Sequence, residues 1–161
     1  MKAVIYESNT GFTKRYAEML AEKFNLPVFS LKEAGKSLEK GAEVVFLGWV
    51  YANSVVGFKK AAKRFSVKAV CAVGAFPKNA AVLEIMKEKN KPECPLFYLR
   101  GGLDLGKLKG LKKKLLDVVR ADLVAQNKPE DSEMIEILTS GGDFVSEENL
   151  TDIVAFMLTQ M

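Results

Sequence analysis

Ser8, Thr10 and Thr13 place three hydroxyls close together, with the Asn9 amide and Gly11 between them and Phe12 beside the last. Such a loop offers neutral donors to an oxyanion, and its glycine lets backbone come close to a ligand. Its setting points the same way. Lys2 to Tyr6 reads as a buried strand. Tyr16, Leu20 and Phe24, joined by Ala17 and Met19, then repeat at helical spacing. A strand feeding a helix through this loop brings the unpaired first-turn N–H groups of the helix to the same spot. An ordinary turn with one N-capping Ser, Thr or Asn would explain one of these residues, and here there are four candidates.

The chain contains no histidine, which excludes Ser-His-Asp, Cys-His and His-zinc sites. No catalytic side chain and no metal ligand set stands out. Redox chemistry, if present, is expected from a bound cofactor. Cys71 and Cys94 fit no metal spacing, and Cys71 reads as a small buried hydrophobe.

Positioning such a loop needs a sheet and helices, and the rest of the chain supplies the pattern. Further strands are expected at 26–31, 43–48, 68–75 and 95–100, all near-continuously apolar. That is the pattern of a parallel sheet covered on both faces. Helical stretches are expected at 55–65, with Val55, Phe58, Ala62 and Phe65 on one face, at 79–89 with Asn79 as N-cap, and at 146–160 with Ser146 as N-cap. At most a short helix fits 33–41. Alternating strands and helices predict one α/β domain over 1–161, a parallel sheet with helices on both faces; by analogy with doubly wound folds its five strands are expected in the order 2-1-3-4-5. The 161 residues, 48% hydrophobic and 27% charged, suffice for one globular core. The absence of a signal-peptide layout and of a long apolar run leads us to expect a cytoplasmic protein.

Three more loops fall at the carboxyl ends of these strands. Trp49, Val50, Tyr51, Ala52, Asn53 and Ser54 follow the third strand and include the chain's one tryptophan. Trp49 or Tyr51 could be the flat apolar wall of a ring site, and packing of Trp49 under a helix is the alternative. Gly74, Ala75 and Phe76 follow the fourth strand; Phe76 could stack, or simply sit in a turn. Arg100-Gly101-Gly102-Leu103-Asp104 follows the fifth.

The stretch Val4-Ile5-Tyr6-x-Ser8-x-x-Gly11-x-Thr13-x-x-x-Ala17-x-x-Leu20 resembles the flavodoxins. In that family a Ser/Thr-x-Thr-Gly-x-Thr loop wraps the phosphate of FMN without using Lys or Arg. The resemblance implies a flavodoxin-like fold with non-covalently bound FMN. It places Ser8–Thr13 on the phosphate, and Trp49–Asn53 and Gly74–Phe76 around the ring. Asn53-Ser54 stands where the relatives often have Gly-Lys. Arg100–Asp104 resembles the Arg-Gly-Gly-Phe-Asp stretch of a flavodoxin-domain branch that includes menaquinone-dependent protoporphyrinogen dehydrogenases. That branch follows its fifth strand with an extra segment, expected here at about 103–131.

That segment opens with Lys107, Lys109, Lys112, Lys113 and Lys114, interleaved with leucines at helical spacing. One reading is a surface helix whose Leu108, Leu111, Leu115, Val118 or Val119 and Leu123 pack on the sheet edge beneath solvated lysines. The other is a dock for an anionic membrane surface, which would make the protein peripheral to the membrane. No aromatic residues interleave the run, and no nucleic-acid partner is expected. The net charge of +4 favours an acidic partner or an anionic surface.

The leading expectation is an FMN-binding redox protein that passes electrons to a partner protein or a quinone. The alternatives are a quinone-linked, protoporphyrinogen dehydrogenase-like enzyme and a cofactor-free interaction module on the same fold. A response-regulator receiver is rejected, because it needs an acidic pair at the first strand and an Asp ending the third, where this chain has Gly48-Trp49.

Overall fold

Apolar runs flanked by helical patterns fold into an α/β arrangement in the computed structural model, which describes residues 1–160. In chain order the elements are β1 (Ala3–Glu7), α1 (Phe12–Lys23), β2 (Val28–Ser30), α2 (Leu31–Ser37), β3 (Glu43–Tyr51), β4 (Ser54–Val55), α3 (Phe58–Arg64) and β5 (Ser66–Gly74). There follow α4 (Ala80–Asn90), β6 (Leu96–Arg100), β7 (Gly102–Leu103), α5 (Gly110–Gln126), α6 (Ser132–Ser140), β8 (Gly142–Asp143) and α7 (Thr151–Thr159). The parallel strands lie in the order β2-β1-β3-β5-β6, and β4 is an antiparallel addition to β3. Setting β4 aside, this is the expected 2-1-3-4-5 order and fits a doubly wound fold.

Side-chain alternation divides the core between the two faces of the sheet. Ala3, Ile5, Val44, Phe46, Val70 and Ala72 pack with Leu31 and Ala34 of α2, Phe58 and Ala61 of α3, and Met86 of α4. Val4, Val45, Leu47, Ala69 and Cys71 pack on the other face, with Tyr16, Ala17 and Leu20 of α1 and Ile153 and Met157 of α7. Cys71 is fully buried, as expected, and burial pushes its thiol far above the ordinary range.

Three local expectations are corrected. The helix expected from residue 55 starts at Phe58, because Ser54 and Val55 pair with Tyr51 and Val50 instead. Its inner face is therefore Phe58 and Ala61, with Ala62 exposed. The closing helix is split by a 3-10 turn at Glu147–Leu150, and the Ser146 side chain makes no cap; its N–H donates instead to the Tyr16 hydroxyl at 3.3 Å. The extra segment runs past residue 131 through α6, and the chain returns through β8, which pairs antiparallel with β7 in a separate two-stranded sheet.

One buried hydroxyl ties this return to the sheet. Tyr16 is 0% exposed. Its hydroxyl donates to the Arg100 carbonyl and accepts from Asn149 Nδ2 at 2.7 Å. Replacing Tyr16 with Phe strands the Ser146 N–H and weakens the hold on Arg100. We expect a loss of about 1–3 kcal/mol of unfolding free energy, read from urea denaturation of the two proteins.

Candidate functional site

The pairing register sets which loops meet. Glu7 lies opposite Gly48, Trp49 opposite Val73, and Gly74 opposite Arg100. The loops at Ser8–Thr13, Trp49–Ser54, Gly74–Asn79 and Arg100–Gly102 therefore leave the sheet side by side along its carboxyl edge.

The first loop ends at Gly11, the N-cap of α1, whose φ of 104° is a left-handed conformation that favours glycine. No side chain caps α1. The ordinary capped turn is thus not what the loop forms, and the first-turn N–H groups are free of side-chain caps. Ser8 Oγ accepts from the Gly11 N–H at 3.1 Å and closes the loop on itself. Asn9 is exposed, Thr10 is half-buried and Thr13 is buried at the helix start. Phe12 turns away and packs on Gly102, where a Cβ would stand 2.7 Å from its ring.

The second loop is a hairpin. Ala52 (φ 46°) and Asn53 (φ 62°) are the two left-handed residues that join β3 to β4, as a type I′ turn requires. Asparagine tolerates this conformation, whereas alanine does so at a cost of about 1–2 kcal/mol. The end of α4 holds the strained turn. Asn90 is buried; its Nδ2 donates to the Asn53 carbonyl at 2.9 Å and its Oδ1 accepts from the Val55 N–H at 2.9 Å. Lys89 Nζ donates to the Ala52 carbonyl. The hairpin presents Trp49 and Tyr51 on one face of β3, their ring centroids 5.8 Å apart at 56°. Trp49 belongs to neither core cluster and is half-buried; Val50 packs inward.

Gly74 lies against the Tyr98 ring, and the Tyr98 hydroxyl donates to the Phe76 carbonyl at 2.7 Å, fixing the third loop. Ala75 and Phe76 are half-buried. Burial pushes the Tyr98 phenol up to about 12, against a smaller downward pull from Arg100. Arg100 itself is committed to structure. Its guanidinium lies 3.8 Å from the Phe144 ring centre and pairs with Glu133 of α6.

The start of α5 reaches over this edge, which the sequence did not foretell. Lys112 Nζ stands 4.5 Å from the Trp49 ring centre and donates to Asn9 Oδ1 at 3.3 Å. Lys107 Nζ donates to the Thr10 carbonyl at 3.2 Å. The arrangement offers an anion hydroxyls, uncapped N–H groups and two ammonium groups, beside an aromatic wall. The other lysines of the run, Lys109, Lys113 and Lys114, are exposed. The expected apolar face holds in part, with Leu108, Val119 and Leu123 half-buried, and is corrected at Leu111 and Leu115. Leu111, Leu115 and Val118 face outward, while Leu116, Val119 and Leu123 are half-buried, and the main partner of α5 is α6 rather than the sheet edge. Hollows of ≈ 550 Å³ between α1 and α7 and ≈ 770 Å³ at the amino end of β5 contain none of the edge loops. Among the described residues no group of His, Cys, Asp and Glu could hold a metal, and no helix is long and apolar enough to cross a membrane.

Two outcomes follow for the supports of the site. Asn90→Ala strands the Val55 N–H and loosens the turn; we expect about 1–3 kcal/mol of lost stability, with a change in Trp49 emission in the folded protein. The raised Tyr98 phenol stabilises the fold fully below pH 10, its ordinary value, and that contribution is lost as pH rises towards about 12. Thermal unfolding from pH 9 upward checks this, and the alkaline decline is expected to be shallower in Tyr98→Phe.

Among protein-family models, curated proteins and solved structures, none matches this chain.

Proposed function

We propose that this chain is a redox protein that binds FMN non-covalently and passes electrons through it. One observation carries the reading: an uncapped, hydroxyl-rich helix start and a tryptophan–tyrosine pair outside both cores share one edge, and Lys112 touches both Asn9 and Trp49. FMN needs both halves, an anion cradle for its phosphate and a flat wall for its ring. The resemblance of Val4–Leu20 to the flavodoxin phosphate loop supports the same assignment.

The residues fit the group. Ser8, Asn9, Thr10, Gly11 and Thr13 would hold the phosphate, and Trp49 and Tyr51 would face the ring, with the Gly74–Phe76 loop at its edge. Bound FMN supplies the electron transfer, and the chain supplies binding, packing and electrostatics. Phe12 is assigned to the support of Gly102 rather than to the phosphate. The quinone-linked enzyme gains no specific support, because Arg100 of its resembling stretch is engaged by Glu133 and Phe144.

The test is the absorption spectrum of protein mixed with FMN and freed of excess. Retained flavin bands with altered fluorescence are expected, and Trp49→Ala is expected to weaken binding about tenfold through lost stacking and burial. Absence of any binding at micromolar FMN would overturn the reading and favour a cofactor-free interaction module.

A further inference from the structure

We propose that the insertion completes the phosphate site, with Lys112 and Lys107 as its cationic ligands, and that Lys112 also gates the ring wall. The identity of the ring rests on the FMN reading; the role of the lysines rests on their contacts.

No residue from Ser8 to Thr13 carries a charge. The cations next along the chain are taken: Lys14 pairs with Glu18 at 3.6 Å, and Arg15 with Asp143 at 2.6 Å. The ammonium groups that reach the loop come from α5 and its lead-in. Lys107 donates to the Thr10 carbonyl and Lys112 to Asn9 Oδ1, across 97 and 103 residues of sequence. Two separate contacts to adjacent loop residues converge where the phosphate would lie. Asp104 stands 3.6 Å from Lys107 Nζ.

Lys112 now holds a neutral amide oxygen and the face of Trp49, and Lys107 the Thr10 carbonyl with the Asp104 carboxylate at 3.6 Å. A phosphate dianion is a much stronger acceptor than an amide oxygen or a ring face. A flat ring stacking on Trp49 must also move the ammonium off that face. The two demands agree only for a phosphate monoester joined to a planar ring: the phosphate receives the ammonium that the ring displaces. A planar ring lacking phosphate would displace Lys112 with no anion to receive it. The lysines thus select for the phosphorylated form of the ligand.

The test compares FMN with riboflavin on the full chain, wild type, Lys112→Ala, Lys112→Arg and Lys107→Ala/Lys112→Ala, by flavin fluorescence at fixed ionic strength. Lys112→Ala is expected to weaken FMN about tenfold and to leave riboflavin unchanged or tighter. The double variant is expected to lose more FMN affinity, and Lys112→Arg to restore most of it. Unchanged FMN affinity in the double variant overturns the lysine role while leaving the flavin reading standing. An equal loss for both ligands also overturns it, since a lysine that merely props α5 would act on both alike. If wild type binds neither flavin, inorganic phosphate is titrated against Trp49 emission. A response that Lys112→Ala abolishes keeps the lysine site, assigns it to another phosphate ester and ends the flavin reading. No response to phosphate ends both.

Discussion

Parallel pairing on both sides of β3 forces the carboxyl ends of β1, β3, β5 and β6 onto one edge of the sheet. Helices cover both faces of such a sheet, so its strands are apolar throughout and offer little surface for chemistry. Polar and aromatic residues with a role beyond packing are therefore concentrated where the strands stop. The hydroxyl loop, the hairpin with its tryptophan and the loop pinned by Tyr98 are neighbours for this reason, although some 70 residues of sequence separate Ser8 from Phe76.

The same edge has to let the chain out after β6 and take it back. Arg100 and Tyr16 manage this together. The Arg100 carbonyl takes the Tyr16 hydroxyl, and its guanidinium reaches out to Glu133 and Phe144 on the returning segment. Its Nε is buried without a hydrogen-bond partner among the described residues, a cost accepted for holding α6 in place. Charge is uneven along the insertion. Lysines crowd the start of α5, next to the hydroxyl loop, while Glu130, Asp131, Glu133 and Glu136 lie towards α6. The lysine-rich start of the insertion thus brings two ammonium groups to the hydroxyl loop, which carries no cation of its own.

Periodicity made the sheet legible. Buried parallel strands are continuous apolar runs, and the helices of the two faces announce themselves by spacing, so the strands and the loop positions could be read from residue types, while the strand order came by analogy with doubly wound sheets. Asn79 as the cap of α4 was equally plain, because capping is local. What stayed hidden depends on contacts distant in sequence. Asn90 reads as a residue that stops a helix, yet it holds the hairpin turn 37 residues earlier in sequence. The turn itself was missed because its first residue is alanine, where glycine or asparagine would have signalled a left-handed turn. The lysine run was seen, but a helix pattern fixes spacing and not the direction in which the helix points. Nothing local could tell Lys107 and Lys112 from Lys113 and Lys114.

The insertion departs at Leu103 and re-enters at Gly142, positions that face each other across a two-residue antiparallel clasp. Topologically it is a detour whose two ends nearly touch. A detour of this kind can lengthen, shorten or be exchanged without asking the sheet to re-register, since the strands on either side keep their neighbours. A chain closed by a tight turn at the clasp would retain the hydroxyl loop and the aromatic hairpin but carry no ammonium above them. The sheet and its cover are in that sense joined by the chain at one place only.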